Sequence, residues 1–276
     1  MIGQIIKVKK SFCEVKVDNQ ILSCVVRGNV KKLRLVVGDF VEIDKSGAIC
    51  KLQERKSYFI RPNCSNVDIV NIVIATLPKP DYLVVDRLIA MAINGGAGVI
   101  ITINKADISS DVADYVLKNY TNAVDKIFVV SAEKDLGIQE LKDYLKDKLV
   151  VFAGQSAVGK TSIINKVFGQ NFRVGDLSRK TQRGKNTTTA STIVENENFR
   201  LMDTPGFTSL YALNIEYNNL KNCYREFEGK SCYFVDCLHQ SEPYCGVKQA
   251  LENKEISSDR YNRYITILNE IKEQKI

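Results

Sequence analysis

The residues best equipped for chemistry fall in a few short segments. Gly154-Gln155-Ser156-Ala157-Val158-Gly159-Lys160-Thr161 matches G-x-x-x-x-G-K-[ST], and Ser162 follows it. The match lies between an apolar stretch, Val150–Ala153, and a helical pattern, Lys160–Phe168, the context a phosphate-binding loop requires. Glycines let main-chain N–H groups approach phosphate oxygens, and a helix N-terminus adds partial positive charge. Lys160 is placed to reach the β- and γ-phosphates, and the Thr161 hydroxyl to coordinate Mg²⁺. Asp203-Thr204-Pro205-Gly206 follows the apolar stretch Phe199–Met202. An aspartate at a strand end can hold Mg²⁺, and the Gly206 N–H can sense a γ-phosphate. Asn104-Lys105-Ala106-Asp107 follows Val99–Ile103. The Asp107 carboxylate can accept from the N1–H and exocyclic amine of guanine; adenine lacks that donor pair and would leave the carboxylate unpaired. Asn104 can orient the base and neighbouring loops, the Lys105 stem can pack over the base, and Ser131-Ala132 can bring an N–H to guanine O6. Thr187-Thr188-Thr189 closes a polar, basic stretch, Arg173–Thr189, that suits a switch loop, with Thr187 or Thr188 meeting Mg²⁺ and the γ-phosphate. Together these segments point to GTP and GDP rather than an adenine nucleotide.

A different chemistry is written near the C-terminus. Cys232, Cys237, His239 and Cys245 form C-x₄-C-x-H-x₅-C. Three thiolates and one imidazole complete a tetrahedral zinc site, and a saturated site is structural rather than catalytic. Cys223 is a possible substitute ligand. His239 is the only histidine of the chain, which argues against a Ser-His-Asp centre and against a zinc-dependent hydrolase.

The elements that must position these groups divide into three zones. Over residues 1–62, short alternating stretches (Ile2–Val8, Phe12–Val17, Ile21–Val26, Val36–Ile43) are broken by turn residues, which predicts a small β-barrel. An OB-type barrel fits the size and charge, and the pattern leaves an SH3-like barrel open. Over residues 63–217, apolar strands alternate with amphipathic helices, which predicts a mostly parallel sheet covered on both faces. Ligands in such sheets sit at the carboxyl ends of strands, where the nucleotide motifs fall. Over residues 218–276 come the metal ligands and helical stretches at Gly246–Lys254 and Asp259–Lys272, the second capped by Ser257 or Ser258. The fold class expected is therefore multidomain α/β, with an N-terminal OB-type barrel, a P-loop domain and a C-terminal zinc-binding helical domain.

Charge is distributed unevenly. Residues 1–62 carry thirteen Lys/Arg against six Asp/Glu, the whole of the chain's +7. A clustered basic surface gains affinity for a phosphate backbone by counterion release, with Lys31, Lys32 and Arg34 among the candidates for contact. No apolar run approaches the roughly 20 residues that span a bilayer, so no membrane association and a cytoplasmic location are expected. The scattered Cys13, Cys24, Cys50 and Cys64 read as small buried hydrophobes rather than a disulfide framework.

The order of the motifs is unusual. Small GTPases run phosphate loop, switch threonine, D-x-P-G, N-K-x-D, then S-A, whereas here Asn104-Lys105-Ala106-Asp107 and Ser131-Ala132 precede the phosphate loop. Such an order arises by circular permutation of one sheet, and it leads Asp203-Thr204-Pro205-Gly206 directly into the C-terminal zone. With the basic barrel, Asp203-Thr204-Pro205-Gly206-Phe207, the zinc spacing and the segments Val37-Gly38-Asp39, Arg61-Pro62-Asn63 and Arg260-Tyr261-Asn262-Arg263-Tyr264, the full chain resembles the RsgA (YjeQ) family of small ribosomal subunit biogenesis GTPases. The resemblance implies a monomeric cytoplasmic GTPase, stimulated by the small ribosomal subunit and contacting its ribosomal RNA through the barrel and zinc domains. Two positions bear on catalysis. Phe207 stands where many GTPases orient water with a glutamine, as in the family. Asn186 replaces the family's histidine before the switch threonines, so Asn186 joins Lys160, Thr188 and Gly206 as a catalytic candidate. A permuted GTPase acting on another RNA and a nucleotide-gated RNA-binding scaffold are the competing readings.

Overall fold

A computed structural model describes residues 1–31, 33–169, 191–204 and 214–273. Five strands close the N-terminal barrel: Ile2–Val8 (β1), Cys13–Val17 (β2), Gln20–Val26 (β3), Phe40–Ile43 (β4) and Ala48–Leu52 (β5), with a one-turn helix Gly28–Lys31 (α1) after β3. They close in the order β1-β2-β3-β5-β4, with β3 and β5 parallel and the other pairs antiparallel. That is an OB-type barrel, so the SH3-like alternative falls. Its core is small and apolar, built on Ile5, Val15, Val41 and Ile49 with Cys13 and Cys24.

The expected strand Val36–Ile43 is broken. Gly38 takes φ +99, where a Cβ would lie 1.9 Å from Ser65 O. The Asp39 carboxylate turns back to accept from Val36 N at 2.8 Å, so strand geometry begins only at Phe40. Strand β5 follows the Gly47 turn and was absent from the expected pattern.

After a short ribbon, Tyr58–Phe59 (β6) with Cys64–Ser65 (β7), the chain builds a six-stranded sheet. Its strands are Ile69–Ala75 (β8), Gly98–Asn104 (β9), Lys126–Val129 (β10), Leu149–Ala153 (β11), Thr192–Glu195 (β12) and Arg200–Asp203 (β13), in the order β10-β9-β8-β11-β13-β12. All pairs are parallel except the β12–β13 hairpin. Every residue of β8 is buried, as a central parallel strand covered on both faces requires. Val70, Ile72 and Ile74 point into one core with Leu88 and Val116, whereas Ile69, Val73 and Ala75 point into the other with Leu141 and Ile163. Helices Tyr82–Asn94 (α2) and Asp111–Tyr120 (α3) supply the first layer; Ile138–Leu145 (α4) and Lys160–Phe168 (α5) supply the second.

The C-terminal unit comprises two 3₁₀ turns, Tyr217–Cys223 and Arg225–Phe227, and helices Gly246–Glu252 (α6) and Ser258–Glu273 (α7). Ser257 caps α7, its hydroxyl accepting from Arg260 N. This unit has its own core, Tyr224, Phe227, Tyr264 and Leu268 among others, and shares Ala90 of α2 with it. No described helix is long and apolar enough to cross a membrane. Cys13, Cys24 and Cys64 are buried as expected; Cys50 is only half-buried.

Candidate nucleotide site and metal centre

Strands β9, β10, β11 and β13 run parallel, so the segments that follow them emerge on one edge of the sheet. The chain passes from β8 outward to β9 and β10, then returns to place β11 on the other side of β8. This reversal opens a crevice at the carboxyl edge. The phosphate-loop motif, Asn104-Lys105-Ala106-Asp107, Ser131-Ala132 and Asp203 all lie at this edge.

Two glycines permit the loop its path. Gly154 takes φ +128, and a Cβ there would stand 2.1 Å from Val73 O. Gly159 takes φ +91, and a Cβ there would stand 2.2 Å from Asn104 Nδ2. Between them Ala157 also adopts a left-handed φ of +64, and with Ser156 it faces solvent, while Val158 is buried. Lys160 opens α5 and folds over the loop, donating to Gly154 O at 2.8 Å and Gln155 O at 2.5 Å. Burial lowers the pKa of its ammonium. The hydroxyl-bearing Thr161 and Ser162 lie exposed in the first turn of α5.

The guanine-type motif is knitted to this loop. Asn104 is buried; its Nδ2 donates to Val158 O at 2.9 Å, and its Oδ1 accepts from Ala132 N at 3.0 Å. One amide thus joins three loops. Lys105, at φ +58, donates to Ala157 O at 3.0 Å and Leu77 O at 2.6 Å, so its stem crosses beside the phosphate loop. Ala106 N donates to Val130 O at 3.1 Å. Asp107 is exposed, and a hydrogen bond from the buried Ser131 lowers its pKa. A carboxylate kept ionised at the mouth of a cleft is an acceptor suited to two N–H donors of a base.

Asp203 ends β13, next to β11, and burial raises its pKa. A half-buried carboxylate facing the same edge as the Thr161 hydroxyl is a donor set that suits a hard divalent cation. Asn186, Thr187, Thr188, Gly206 and Phe207 lie outside the described residues, as does Lys32.

The metal ligands converge without ambiguity. The ligand atoms of Cys232, Cys237, His239 and Cys245 all lie within 4.8 Å of one another. His239 Nδ1 is 3.6 Å from Cys232 Sγ, 3.4 Å from Cys237 Sγ and 3.3 Å from Cys245 Sγ; the Cys232 and Cys245 sulfurs are 3.8 Å apart. Tetrahedral bonds of about 2.3 Å to sulfur imply sulfur separations of about 3.8 Å, so the cage has the size of a zinc ion. Burial opposes ionisation of Cys232, but hydrogen bonds from the Gly246 and Val247 N–H groups and from Cys237 and Cys245 together lower its pKa. Cys223 is not part of the cage; it is buried, with Sγ against Asn219 O.

Against this geometry stand the known relatives. The RsgA GTPase family matches residues 52–213, and the RsgA N-terminal domain matches residues 2–48. Proteins named small ribosomal subunit biogenesis GTPase RsgA from Thermotoga neapolitana and Alkaliphilus metalliredigens are each 35% identical to the chain. The first match covers 91% of this chain and 89% of the relative, the second 99% and 98%. The crystal structure of YjeQ from Thermotoga maritima matches with a TM-score of 0.83 at 31% identity over 98% of both chains. YloQ, described as a circularly permuted GTPase, matches with a TM-score of 0.78 at 29% identity, over 100% of this chain and 96% of its own. The chain belongs to the RsgA GTPase family. It is a GTP-hydrolysing enzyme built on a circularly permuted frame, as the motif order implied.

Several residues that hold this RsgA-family site together had no role assigned from the sequence. Asp81 caps α2, accepting from Leu83 N and Val84 N, and its own N–H donates to Gln155 Oε1 at 3.1 Å, so α2 touches the phosphate loop. Tyr261 and Tyr264 of α7 donate to His239 O at 2.6 Å and Leu238 O at 2.7 Å. Glu242 accepts from Leu238 N and Gln240 N, both at 2.7 Å, and so clamps the backbone around the histidine. Tyr261 and Tyr264 lie in the segment Arg260–Tyr264 already singled out by resemblance, and an aspartate ahead of a helical pattern is a signal for the Asp81 cap; nothing local marks Glu242.

Proposed function

We propose that this GTPase works in biogenesis of the small ribosomal subunit: it binds the immature subunit and its ribosomal RNA with GTP in place, hydrolyses GTP to GDP and phosphate, and is released. The observation that supports this reading is the near full-length similarity to proteins named for that role, joined to a barrel-bearing segment that carries the entire basic excess.

In this reading GTP lies along the crevice. Asp107 pairs with the guanine edge, Lys105 packs over the base, and the segment Ser131-Ala132 faces guanine O6. Asn104 holds the three loops in register. Main-chain N–H groups from Gly154 to Thr161 take the phosphates, with Gln155, Ser156, Ala157 and Val158 forming the cradle and Ser162 continuing the helix. Thr161, Asp203 and a switch threonine, Thr187 or Thr188, would hold Mg²⁺, which neutralises phosphate charge when bound. Lys160 and the Gly206 N–H stabilise charge developing on the γ-phosphate oxygens. Asn186 orients the attacking water through its amide. Cys232, Cys237, His239 and Cys245 hold a zinc ion whose part is to order the C-terminal unit. The protein acts as a cytoplasmic monomer, with units at residues 1–62, 63–217 and 218–276.

GTP turnover by the purified protein, alone and with small or large ribosomal subunits, tests this. Stimulation by small subunits alone is expected. Equal stimulation by both, or by neither, rejects the assignment of partner. Subunit affinity that is the same with GDP as with a non-hydrolysable GTP analogue rejects release on hydrolysis.

A further inference from the structure

Helix α2 touches the phosphate loop at one end and a cleft at the other. Asp81, its N-cap, meets Gln155, and the helix runs 13 residues, about 20 Å, away from that contact. At the far end Asn94, Gly95 and Gly96 line a cleft of about 390 Å³. The β6–β7 ribbon forms a second wall, and Asn214 and Ile215, where the chain enters the C-terminal unit, form a third. Sites for small molecules span roughly 300–1,000 Å³.

The lining is chemically uneven. Phe59, Met91 and Ile215 are buried and give it an apolar floor. Lys56 and Arg61 stand exposed on its rim, and none of the described lining residues is acidic. Arg55, the third cation, is already engaged: it pairs with Asp39 and lies over the Tyr58 ring. Lys56 and Arg61 differ from it. Among the described residues neither side chain makes an ion pair or a hydrogen bond, and nor do the side-chain amides of Asn94 and Asn214. Open carbonyls at the end of α2 would repel an anion, but these are closed. Met91 O and Ile93 O accept from Gly95 N and Gly96 N, Ala92 O from Ala97 N, and Gly95 O from Tyr58 N. Arg61 belongs to Arg61-Pro62-Asn63, a segment with no part in the GTP site, and it sits in the turn 60–63 that the β6–β7 pairing closes.

Each free group specifies part of a ligand. Two cations without counter-charge on one rim fit a phosphate. A side-chain amide offers a donor and an acceptor together, the pattern that pairs with the edge of a base. An apolar floor takes the face of a planar ring.

We propose that this cleft is a second nucleotide site, separate from the GTP site. The phosphate lies between Lys56 and Arg61, the base lies on the floor of Phe59, Met91 and Ile215, and Asn94 and Asn214 meet its edge. A residue of single-stranded RNA and a free mononucleotide bring the same chemistry. The site goes beyond the proposed function and needs no ribosome to be tested.

The full chain saturated with GDP and Mg²⁺ is the material for the test, because its GTP site is then filled. Binding of the four labelled 5′-mononucleotides, and of single-stranded RNA tetranucleotides of mixed sequence, is measured by equilibrium dialysis. One further equivalent is expected, weakened about tenfold by Arg61→Gln and about tenfold by Lys56→Gln, the order of one lost charge-assisted hydrogen bond each. GDP affinity should not change, since both side chains are exposed and unpaired. Asn94→Ala gives an independent reading and should weaken binding of the preferred base more than of the others. Mononucleotide binding assigns the cleft to a free nucleotide, and tetranucleotide binding alone assigns it to RNA; each supports the site if Arg61→Gln and Lys56→Gln weaken it. No further equivalent of either kind, binding indifferent to both substitutions, or displacement by inorganic phosphate or a hexaglutamate peptide as readily as by a nucleotide overturns the proposal.

Discussion

Two buried aspartates join the central sheet to its neighbours, and they do so differently. Asp39, in the turn before β4, is fully buried and meets Arg55, the Ser65 hydroxyl at 2.6 Å and Val36 N at 2.8 Å. Its partners are close in sequence, and the Arg55 side chain keeps 21% of its surface in water, where it also lies over the Tyr58 ring. Asp86, on α2, is fully buried between Arg260 and Arg263 of α7, from the other end of the chain. Arg260 has a second acidic partner in Glu226, and its guanidinium lies over the Tyr120 and Tyr224 rings with 1% of its side chain exposed. Burial would lower the Arg260 pKa, but Asp86 and Glu226 outweigh it and raise it, so the arginine stays charged. The first network sets a local turn that aims the barrel. The second clamps a distant helix to the helix whose cap touches the phosphate loop, through Asp81 and Gln155. A clamp of fully desolvated charges holds only while every partner is in place.

That contrast can be attacked at four points. The largest effect is expected from removing the zinc. Apparent binding energies of structural zinc run to about 10 kcal/mol or more, so chelation should unfold the knuckle and free α7. Hydrogen exchange should then speed up in α7 and stay slow in β8; protection of α7 unchanged by chelation would show that the Asp86 clamp needs no zinc support.

Asp86→Ala comes next. It leaves Arg263 without an acidic partner and the wholly buried Arg260 with Glu226 alone, and should cost about 3–5 kcal/mol in denaturant unfolding. Asp39→Ala should cost less, about 1–3 kcal/mol, because Arg55 can turn to water and only the Val36 N–H and Ser65 hydroxyl lose a buried acceptor. If the two substitutions prove equally costly, the distinction between a local brace and a long-range clamp is wrong.

The smallest effect is at the seam between β1–β2 and the β12–β13 hairpin, where the partly exposed Lys16 pairs with Glu195 and Arg200 donates to the buried Gln4. Lys16→Glu should change stability by about 1 kcal/mol or less, with Glu195→Lys restoring the pair in a double-mutant cycle. A loss of several kcal/mol would mean that the barrel is clamped as tightly as α7.

Much of the molecule was legible in the sequence for a specific reason. Strand β8 and helix α5 fall on the expected spans, Ile69–Ala75 and Lys160–Phe168, because a run apolar but for Asn71 and a glycine-led helix start are local signals. Strand β12 was missed because Thr192–Glu195 is short and its pairing with Arg200–Asp203 shows only in three dimensions. The stretch Val36–Ile43 is expected as one strand although Gly38-Asp39 reads as a turn; that the turn breaks it is decided by the close approach of the Ser65 carbonyl to Gly38.

By itself, then, the sequence determined the chemistry. Motif spacing named the phosphate loop, the guanine-type carboxylate and the zinc ligands, and motif order announced the permutation, because each depends on residues a few positions apart. Only the tertiary structure decided which distant groups meet. It brought Asn104 against Gly159, Asp86 against Arg260 and Arg263, and Tyr261 and Tyr264 behind His239. It also left Tyr233, Val235 and Tyr244 in solvent. Contacts between segments far apart in the chain leave no periodicity to read; they exist only because the sheet, once folded, sets the distances between its edges.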